Sequence, residues 1–344
     1  MNKIIEQDCL NILKQIDISP FKNSSILLTG SNGLLGQYIV HLIYLANKNL
    51  DLNCKLYCIS LHEPNKNINL LLDDHKIIPL QRDLSKPFSF SYKCNYIFHA
   101  AGYAQPSKFI QNPFSTIRLN VAATERLLNL AKENKAKFLF FSSAEVYGEI
   151  PKELIPVPEI YNGNCPTTSI RAIYGESKRL GETICSIYRR EYNIQAYIAR
   201  ISHVYGPGIS INDERVLGNF IRKALKEKKI ELLDQGKSIK TFGYVADTIK
   251  MLMLIISKGK DMIYNVGGID SVSIQELAEK VGKYCRVPVI LPKEKSKLKH
   301  IGNDPPVVKL DLSKFKKEFG SFSFTPFSVG LTRTIEWNKE EFKI

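Results

Sequence analysis

The sequence has no two cysteines at C-x-x-C spacing and no histidine pair beside its thiols, so no zinc site or redox dithiol is expected. Its seven cysteines, Cys9, Cys54, Cys58, Cys94, Cys165, Cys185 and Cys285, are odd in number and scattered. That usage fits free thiols in a reducing cytosol and predicts a cytoplasmic protein. No apolar run reaches the ~18 residues of a membrane span, so no membrane partner is expected. The N-terminus, MNKIIEQDCLNILKQIDISPF, is an amphipathic helix pattern interrupted by charge rather than a signal peptide, and is expected to cap the fold. Internal repeats, low-complexity tracts and flexible linkers are missing, as is any arginine-rich stripe interleaved with aromatics. The formal charge of +14 comes from scattered lysines, as in KEKSKLKH and KALKEKK, many accompanied by glutamates. Such patterning argues against nucleic acid as a partner and suits an anionic small molecule.

What is present is 344 residues, 44% of them hydrophobic, enough for one large or two intimate domains with a sizeable core. Short apolar runs at 24–30, 54–60, 76–83, 94–102, 136–148 and 194–208 predict six strands. Helical periodicity covers 33–49, 112–134 and 169–192, with Pro113 near the first turn of the second. Alternation of strands with helices predicts an α/β fold, a doubly wound parallel sheet of the Rossmann type covered on both faces. Beyond residue 206 the pattern is less regular, with helices expected at 212–229, 274–285 and 311–319 and loops punctuated by Pro288, Pro292, Pro305, Pro306 and Pro326. The segments 244–259 and 262–268 are expected to return to the main domain. The resulting division is 1–205 with 239–268 as a dinucleotide-binding domain, and 206–238 with 269–344 as a smaller substrate domain.

TGSNGLLG runs from Thr29 to Gly36 between the first strand and the first helix. Gly30, Gly33 and Gly36 follow G-x-x-G-x-x-G spacing, with Asn32 and Leu34 in the same turn. Glycine lets the backbone approach a pyrophosphate, and the helix N-terminus supplies free N–H groups and partial positive charge. An acid at the end of the second strand would bind the adenosine ribose, but Ser60 stands there, with Glu63 and Lys66 further on. NAD and NADP therefore both stay open. Asp83 and Leu84 follow the third strand, where a side chain can reach the adenine. Ala100 and Ala101 in HAAG are small enough for a cofactor to lie flat across the strand end.

YGESK places Tyr174 and Lys178 four apart, on one face of a helix. A protonated lysine near a phenol favours the phenolate, so a lowered tyrosine pKa is expected. Such a tyrosine can take a proton from a substrate hydroxyl while hydride leaves the same carbon. Ser143 can donate to the same oxygen, and Lys178 can hold the nicotinamide ribose. Two residues beyond Ser143, in FSSAEVYG, stands Glu145, a carboxylate at the end of a strand.

With TGSNGLLG, HAAG, LNVAAT around Asn120, SSAEVYG, YGESKRLGET, RISHVYGPG and YVADT, the chain resembles the extended short-chain dehydrogenase/reductase family from about residue 24 to 338. Within that family it is most similar to the UDP-glucuronate decarboxylase branch, through IRAIYGESKRLGETIC, YGPGISINDERVLGNFIRKAL and YNVGG. The resemblance implies a tightly held NAD, contacted by Asn120 among others, and a nucleotide-diphosphate sugar oxidised at C4 by Tyr174 with Lys178 and Ser143. It implies a homodimer paired through the helices near 113–133 and 170–192. It also implies that Glu145 acts on the 4-keto intermediate or grips the sugar, since dehydratases and decarboxylases of the family carry a glutamate there. Ala144 stands where the dehydratases often have a further acid. Gln105, Ser107, His203, Arg215 and Lys240 fall where the family contacts its substrate, with Lys108 beside the first two. Here His203 replaces an asparagine, Lys240 an arginine, and Val308, next to Lys309, a second arginine. The activity expected first is that of a UDP-glucuronate decarboxylase, then a 4,6-dehydratase, then a 4-epimerase. The rival from another class is a dinucleotide-binding scaffold without chemistry, against which intact Ser143, Tyr174 and Lys178 argue.

Overall fold

In the computed structural model, residues 2–292, 307–320 and 323–343 are described. The helices are α1 (Lys3–Gln15), α2 (Leu34–Leu50), α3 (Lys66–Asn69), α4 (Pro106–Gln111), α5 (Pro113–Asn120), α6 (Ala122–Asn134), α7 (Ala172–Tyr192), α8 (Val216–Arg222), α9 (Val245–Lys258), α10 (Ile274–Cys285), α11 (Ser313–Phe319) and α12 (Phe327–Phe342). Seven parallel strands form the main sheet: β1 (Ser25–Thr29), β2 (Lys55–Ser60), β3 (Ile77–Gln81), β4 (Tyr96–His99), β5 (Lys137–Ser143), β6 (Ala196–Ile201) and, after three strands elsewhere, β10 (Ile263–Val266). Their order is β3-β2-β1-β4-β5-β6-β10, so the winding direction reverses between β1 and β4. The runs SILLT, YIFH and AYIARI are buried almost throughout because helices cover both faces of the sheet. The expected doubly wound sheet is therefore present, with 262–268 supplying its seventh strand.

The remaining strands are β7 (His203–Tyr205), β8 (Ile230–Glu231), β9 (Ile239–Tyr244), β11 (Ser271–Ser273), β12 (Val289–Ile290) and β13 (Val307–Val308). β9 pairs with β7, β11 and β13 in a second sheet, while β8 and β12 pair with each other. The run 194–208, expected as one strand, divides at Ser202. The Ser202 N–H makes the last bond to Val266 in the main sheet, and His203–Tyr205 then pairs with Phe242–Tyr244. The apolar pattern is the same on both sides, so only the partners reveal the switch. The expected helix 112–134 likewise breaks at Val121, whose φ and ψ are −113° and −72°. There the Thr124 hydroxyl donates to the Asn120 carbonyl. The run 136–148 is a strand only to Ser143, followed by a 3₁₀ turn over Ala144–Tyr147. The expected helix 212–229 is α8 followed by a π-helical turn over Lys223–Glu227. Pro305 and Pro306 lie outside the described residues. Helix α12 was not anticipated from the sequence.

Helix α1 begins at Asn2, whose side chain accepts the Ile4 and Ile5 N–H groups. Its buried Asp8 accepts the hydroxyls of Tyr38 (2.8 Å) and Tyr244 (2.6 Å) and pairs with Arg333 at 2.8 Å. One carboxylate thus ties α1 to α2, to the end of β9 and to α12. Burial raises its pKa, opposed by the Tyr244 bond and the Arg333 charge.

A second buried network joins α7 to the sheet. Arg200 on β6 makes a fork to Glu182, with Nη2 at 2.7 Å and Nε at 3.1 and 3.2 Å, and the Ser142 hydroxyl adds a bond at 2.5 Å. The guanidinium also donates to the Glu159 carbonyl and lies 4.8 Å from the Tyr147 ring. Tyr147 in turn donates to Asn265 on β10 at 2.6 Å. Removing one member of such a pair strands a charge in a dry interior. Arg200→Met is expected to lower the unfolding free energy by about 3–5 kcal/mol in urea titrations, and the double replacement Glu182→Met/Arg200→Met to recover most of that loss.

Candidate active site

The glycine turn follows β1 at the point where the sheet order reverses, the usual ligand crevice of such sheets. Gly30 has φ +73°, and a Cβ there would lie 2.8–2.9 Å from the backbone of Ala100 and Ala101. A Cβ on Gly36 would lie 2.2 Å from the Gly30 carbonyl, so the first turn of α2 rests directly on the loop. Gly33 is the N-cap of α2, and Leu34 its first residue. The turn is held against HAAG by His99. That ring is fully buried, and burial pushes its pKa down to about 3, so it is neutral. Nε2 faces the Leu119 carbonyl at 3.0 Å and must carry the proton; Nδ1 then accepts from the Thr29 hydroxyl at 2.9 Å. The Ala101 N–H donates to the same Thr29 oxygen at 3.1 Å. The histidine thus links β1, β4 and α5.

Beside the turn is a cleft of about 230 Å³ lined by Gly30, Asn32, Gly33, Ser60, Asp83, Leu84 and Ala101, with His62, Arg82 and Gly102. These include most of the residues expected from the sequence to hold a dinucleotide. Asn32 is spent on the fold: its amide donates to the Glu63 carbonyl at 2.8 Å and its oxygen accepts the Asn65 N–H at 3.0 Å. Asp83 is similarly engaged, accepting the Ser85 hydroxyl at 2.6 Å and the Ser85 N–H at 3.0 Å.

Gly102 marks the passage to the second half of the site. A Cβ there would lie 3.5 Å from Asn120 Oδ1 and 3.7 Å from Lys178 Nζ. Asn120 donates to the Ser177 hydroxyl at 2.9 Å, and its Oδ1 is buried without a partner among the described residues. Lys178 donates to the Phe141 carbonyl at 2.7 Å and lies 4.7 Å from the Phe140 ring. Tyr174, one turn earlier on α7, has the Ser143 side chain beside its phenol and stacks on Phe109 of α4, with centroids 4.9 Å apart. The expected depression of its pKa is not found. Burial and the nearby Glu145 charge push it up to about 12, against the Ser143 bond and the Arg215 charge. The same burial brings Lys178 down to about 7. Burial is the largest influence on each group and disfavours its charged form.

Glu145 lies on the turn after β5. Its N–H donates to the Ser143 hydroxyl, and its carboxylate receives Nη2 of Arg171 at 2.8 Å. Arg171 is the N-cap residue of α7, three before Tyr174. It was not singled out from the sequence, since nothing in the motif spacing ties it to a glutamate 26 residues earlier. Gln105 and Ser107, at the start of α4, reach the same neighbourhood through the Phe109 contact, and Gln105 Oε1 and Ser107 Oγ are buried without partners among the described residues. Arg215 acts on Tyr174 through its charge while making a fork to Asp213, at 2.6–3.1 Å. His203 lies on β7 with its ring 5.8 Å from Phe242, and Lys240 is buried on β9 beside Val308 of β13. These two belong to the second sheet.

Residues 26–267 match the NAD dependent epimerase/dehydratase family. The chain belongs to that family. Family relatives include UDP-glucuronic acid decarboxylase 6 of Arabidopsis thaliana, 31% identical over 333 residues that span 95% of this chain and 93% of the relative. Solved structures of the same fold include dTDP-glucose 4,6-dehydratase of Streptomyces venezuelae with NAD bound (TM-score 0.77, 20% identity, 93% of this chain and 98% of that one). The UDP-glucose 4-epimerase of Thermotoga maritima with UDP-glucose is another (TM-score 0.76, 20% identity, 92% and 99%).

The low pKa of Lys178 has a consequence for stability. Between about 7 and the ordinary lysine value of 10.5 the unfolded chain holds a proton that the folded one has released. The unfolding free energy therefore rises with pH across that window. Lys178→Met is expected to remove this contribution, seen as a smaller gain in melting temperature between neutral and alkaline pH than in the parent protein.

Proposed function

We propose that the protein is an NAD-dependent nucleotide-sugar lyase that oxidises its substrate at C4 and acts as a UDP-glucuronate decarboxylase. The observation that carries the reading is the convergence of Ser143, Glu145, Tyr174 and Lys178 where the end of β5 meets the start of α7. Similarity along 95% of the chain to a UDP-glucuronic acid decarboxylase supports the choice of substrate. The glycine turn and its cleft fit a dinucleotide, since backbone can approach closely at Gly30 and Gly36 and no side chain caps the N-terminus of α2 at Gly33.

A bound oxidised nicotinamide would supply the hydride acceptor for C4 and a positive charge that favours the Tyr174 phenolate. With that charge present, the Tyr174 phenolate would accept the C4 hydroxyl proton as the hydride leaves, with the Ser143 side chain beside the same phenol. Lys178, fixed to the Phe141 carbonyl, stands beside Gly102 and would hold the nicotinamide ribose. A ketone at C4 turns the C6 carboxylate into a β-keto acid, which loses CO₂ without a strong base. Glu145, held by Arg171, would manage the proton at the sugar after that loss. The buried, unpartnered Gln105 and Ser107 oxygens are suited to the sugar hydroxyls.

The same reading includes a homodimer in the cytoplasm. On the outer faces of α5 and α7, Phe114 is 71% exposed and Leu180 48%, with Ile117 and Ile187 also solvent-facing. No helix among the described residues is long and apolar enough to cross a membrane, and all seven thiols are free.

A panel of nucleotide sugars analysed by mass spectrometry tests the chemistry. Loss of the mass of CO₂ from UDP-glucuronate is expected; loss of water, or an unchanged mass with a new NMR spectrum, would assign dehydration or epimerisation instead. Tyr174→Phe is expected to abolish the absorbance change of the reduced nicotinamide, and Glu145→Gln to lower turnover about 10²–10⁴-fold. Unaltered turnover in Glu145→Gln would remove that residue from the mechanism. Leu180→Glu is expected to convert a dimer to a monomer by light scattering.

A further inference from the structure

The rim of the dinucleotide cleft carries the opposite charge from the one an NAD-selective site needs. An acid at the end of β2 would accept the ribose hydroxyls and repel a 2′-phosphate. Ser60 stands at that end, and its hydroxyl is satisfied internally: it donates to the His62 carbonyl and accepts from Asn32 Nδ2 at 3.3 Å. The one acid lining the cleft, Asp83, turns its carboxylate into its own loop toward Ser85, with Lys86 3.8 Å away. Opposite, at the end of β3, Arg82 lines the cleft. Its guanidinium makes one hydrogen bond, to the neighbouring Gln81 carbonyl at 3.2 Å, and among the described residues no carboxylate lies within 4 Å of it. His62 adds a second donor on the same rim.

We infer that this rim is a subsite for a phosphate monoester, and that the protein accepts NADP(H) at least as readily as NAD(H), with Arg82 binding the 2′-phosphate. A guanidinium in a partly enclosed cleft makes charge-assisted, two-pronged bonds to phosphate oxygens. NAD(H) offers only a hydroxyl there, which finds no carboxylate to accept its proton. The inference rests on the reading of the glycine cleft as a dinucleotide site, and it concerns only the adenosine end, away from the chemistry.

The test uses the full chain, with any copurifying dinucleotide identified by mass spectrometry and displaced. Calorimetry then compares NADP⁺ with NAD⁺, and 2′,5′-ADP with 5′-ADP. The phosphorylated member of each pair is expected to bind at least as tightly as the other. Arg82→Gln is expected to lower the NADP⁺-to-NAD⁺ affinity ratio about tenfold or more, and Ser60→Asp to lower it further by placing a carboxylate at the 2′ position. Weaker binding of NADP⁺ than NAD⁺ in the parent protein overturns the inference. So does an Arg82→Gln variant that weakens both cofactors by the same factor. If neither dinucleotide binds, the reading of the cleft fails, and the subsite falls with it.

Discussion

The arrangement depends on how closely helix α7 lies against strand β5. A Cβ at Gly181 would sit 2.6 Å from the Phe140 ring and 2.7 Å from the Asn120 carbonyl, and one at Gly175 would sit 3.1 Å from the Glu145 carbonyl. At two points the helix touches its neighbours through bare backbone. That contact puts Tyr174 within reach of Ser143 and aims Lys178 at the Phe141 carbonyl. Tyr174, Lys178 and Glu182 follow one another at intervals of four along one face, so a single helix presents a phenol, an amine and a structural carboxylate in a row. The last of these is held by the Arg200 fork, which fixes the far end of the row to β6.

Burial is what makes this row chemically unusual. The phenol is raised and the amine lowered by the same loss of water, so each stays neutral over the range where its free counterpart would titrate differently. Charge enters at the edges, as the Glu145–Arg171 pair and the Arg215–Asp213 fork, both partly open to solvent. A cation brought in by a bound cofactor would act strongly on Tyr174, because little water remains to screen it.

Much of this was legible in the order of residues. Gly30, Gly33 and Gly36 stand between a strand and a helix, and the spacing alone demands a tight approach there. Tyr174 and Lys178 share a face by helical geometry. Other features were not legible, because they depend on partners distant in the chain. The break at Val121 interrupts a stretch whose periodicity continues unbroken. Arg171 meets Glu145 only because α7 folds back over the β5 turn. His99 looked like part of a small-residue motif, yet its ring ties Thr29 to Leu119. Arg82 was passed over beside Asp83, although it faces the cleft while the acid turns away.

The sequence by itself determined the sheet, the glycine turn and the pairing of tyrosine with lysine, since strand, turn and helix periods are local properties. It also determined that a serine, Ser60, and not an acid ends β2, because identity at a strand end needs no tertiary information. Only the tertiary structure decided the ionisation of Tyr174 and Lys178, through burial that no spacing encodes. It alone decided which charges are consumed by the fold, as at Asp8, Asp83 and Glu182, and which stand at the cleft, as at Arg82. The physical reason is that solvation and Coulomb energies depend on distance in space, and residues far apart in the chain become neighbours only after the sheet has closed.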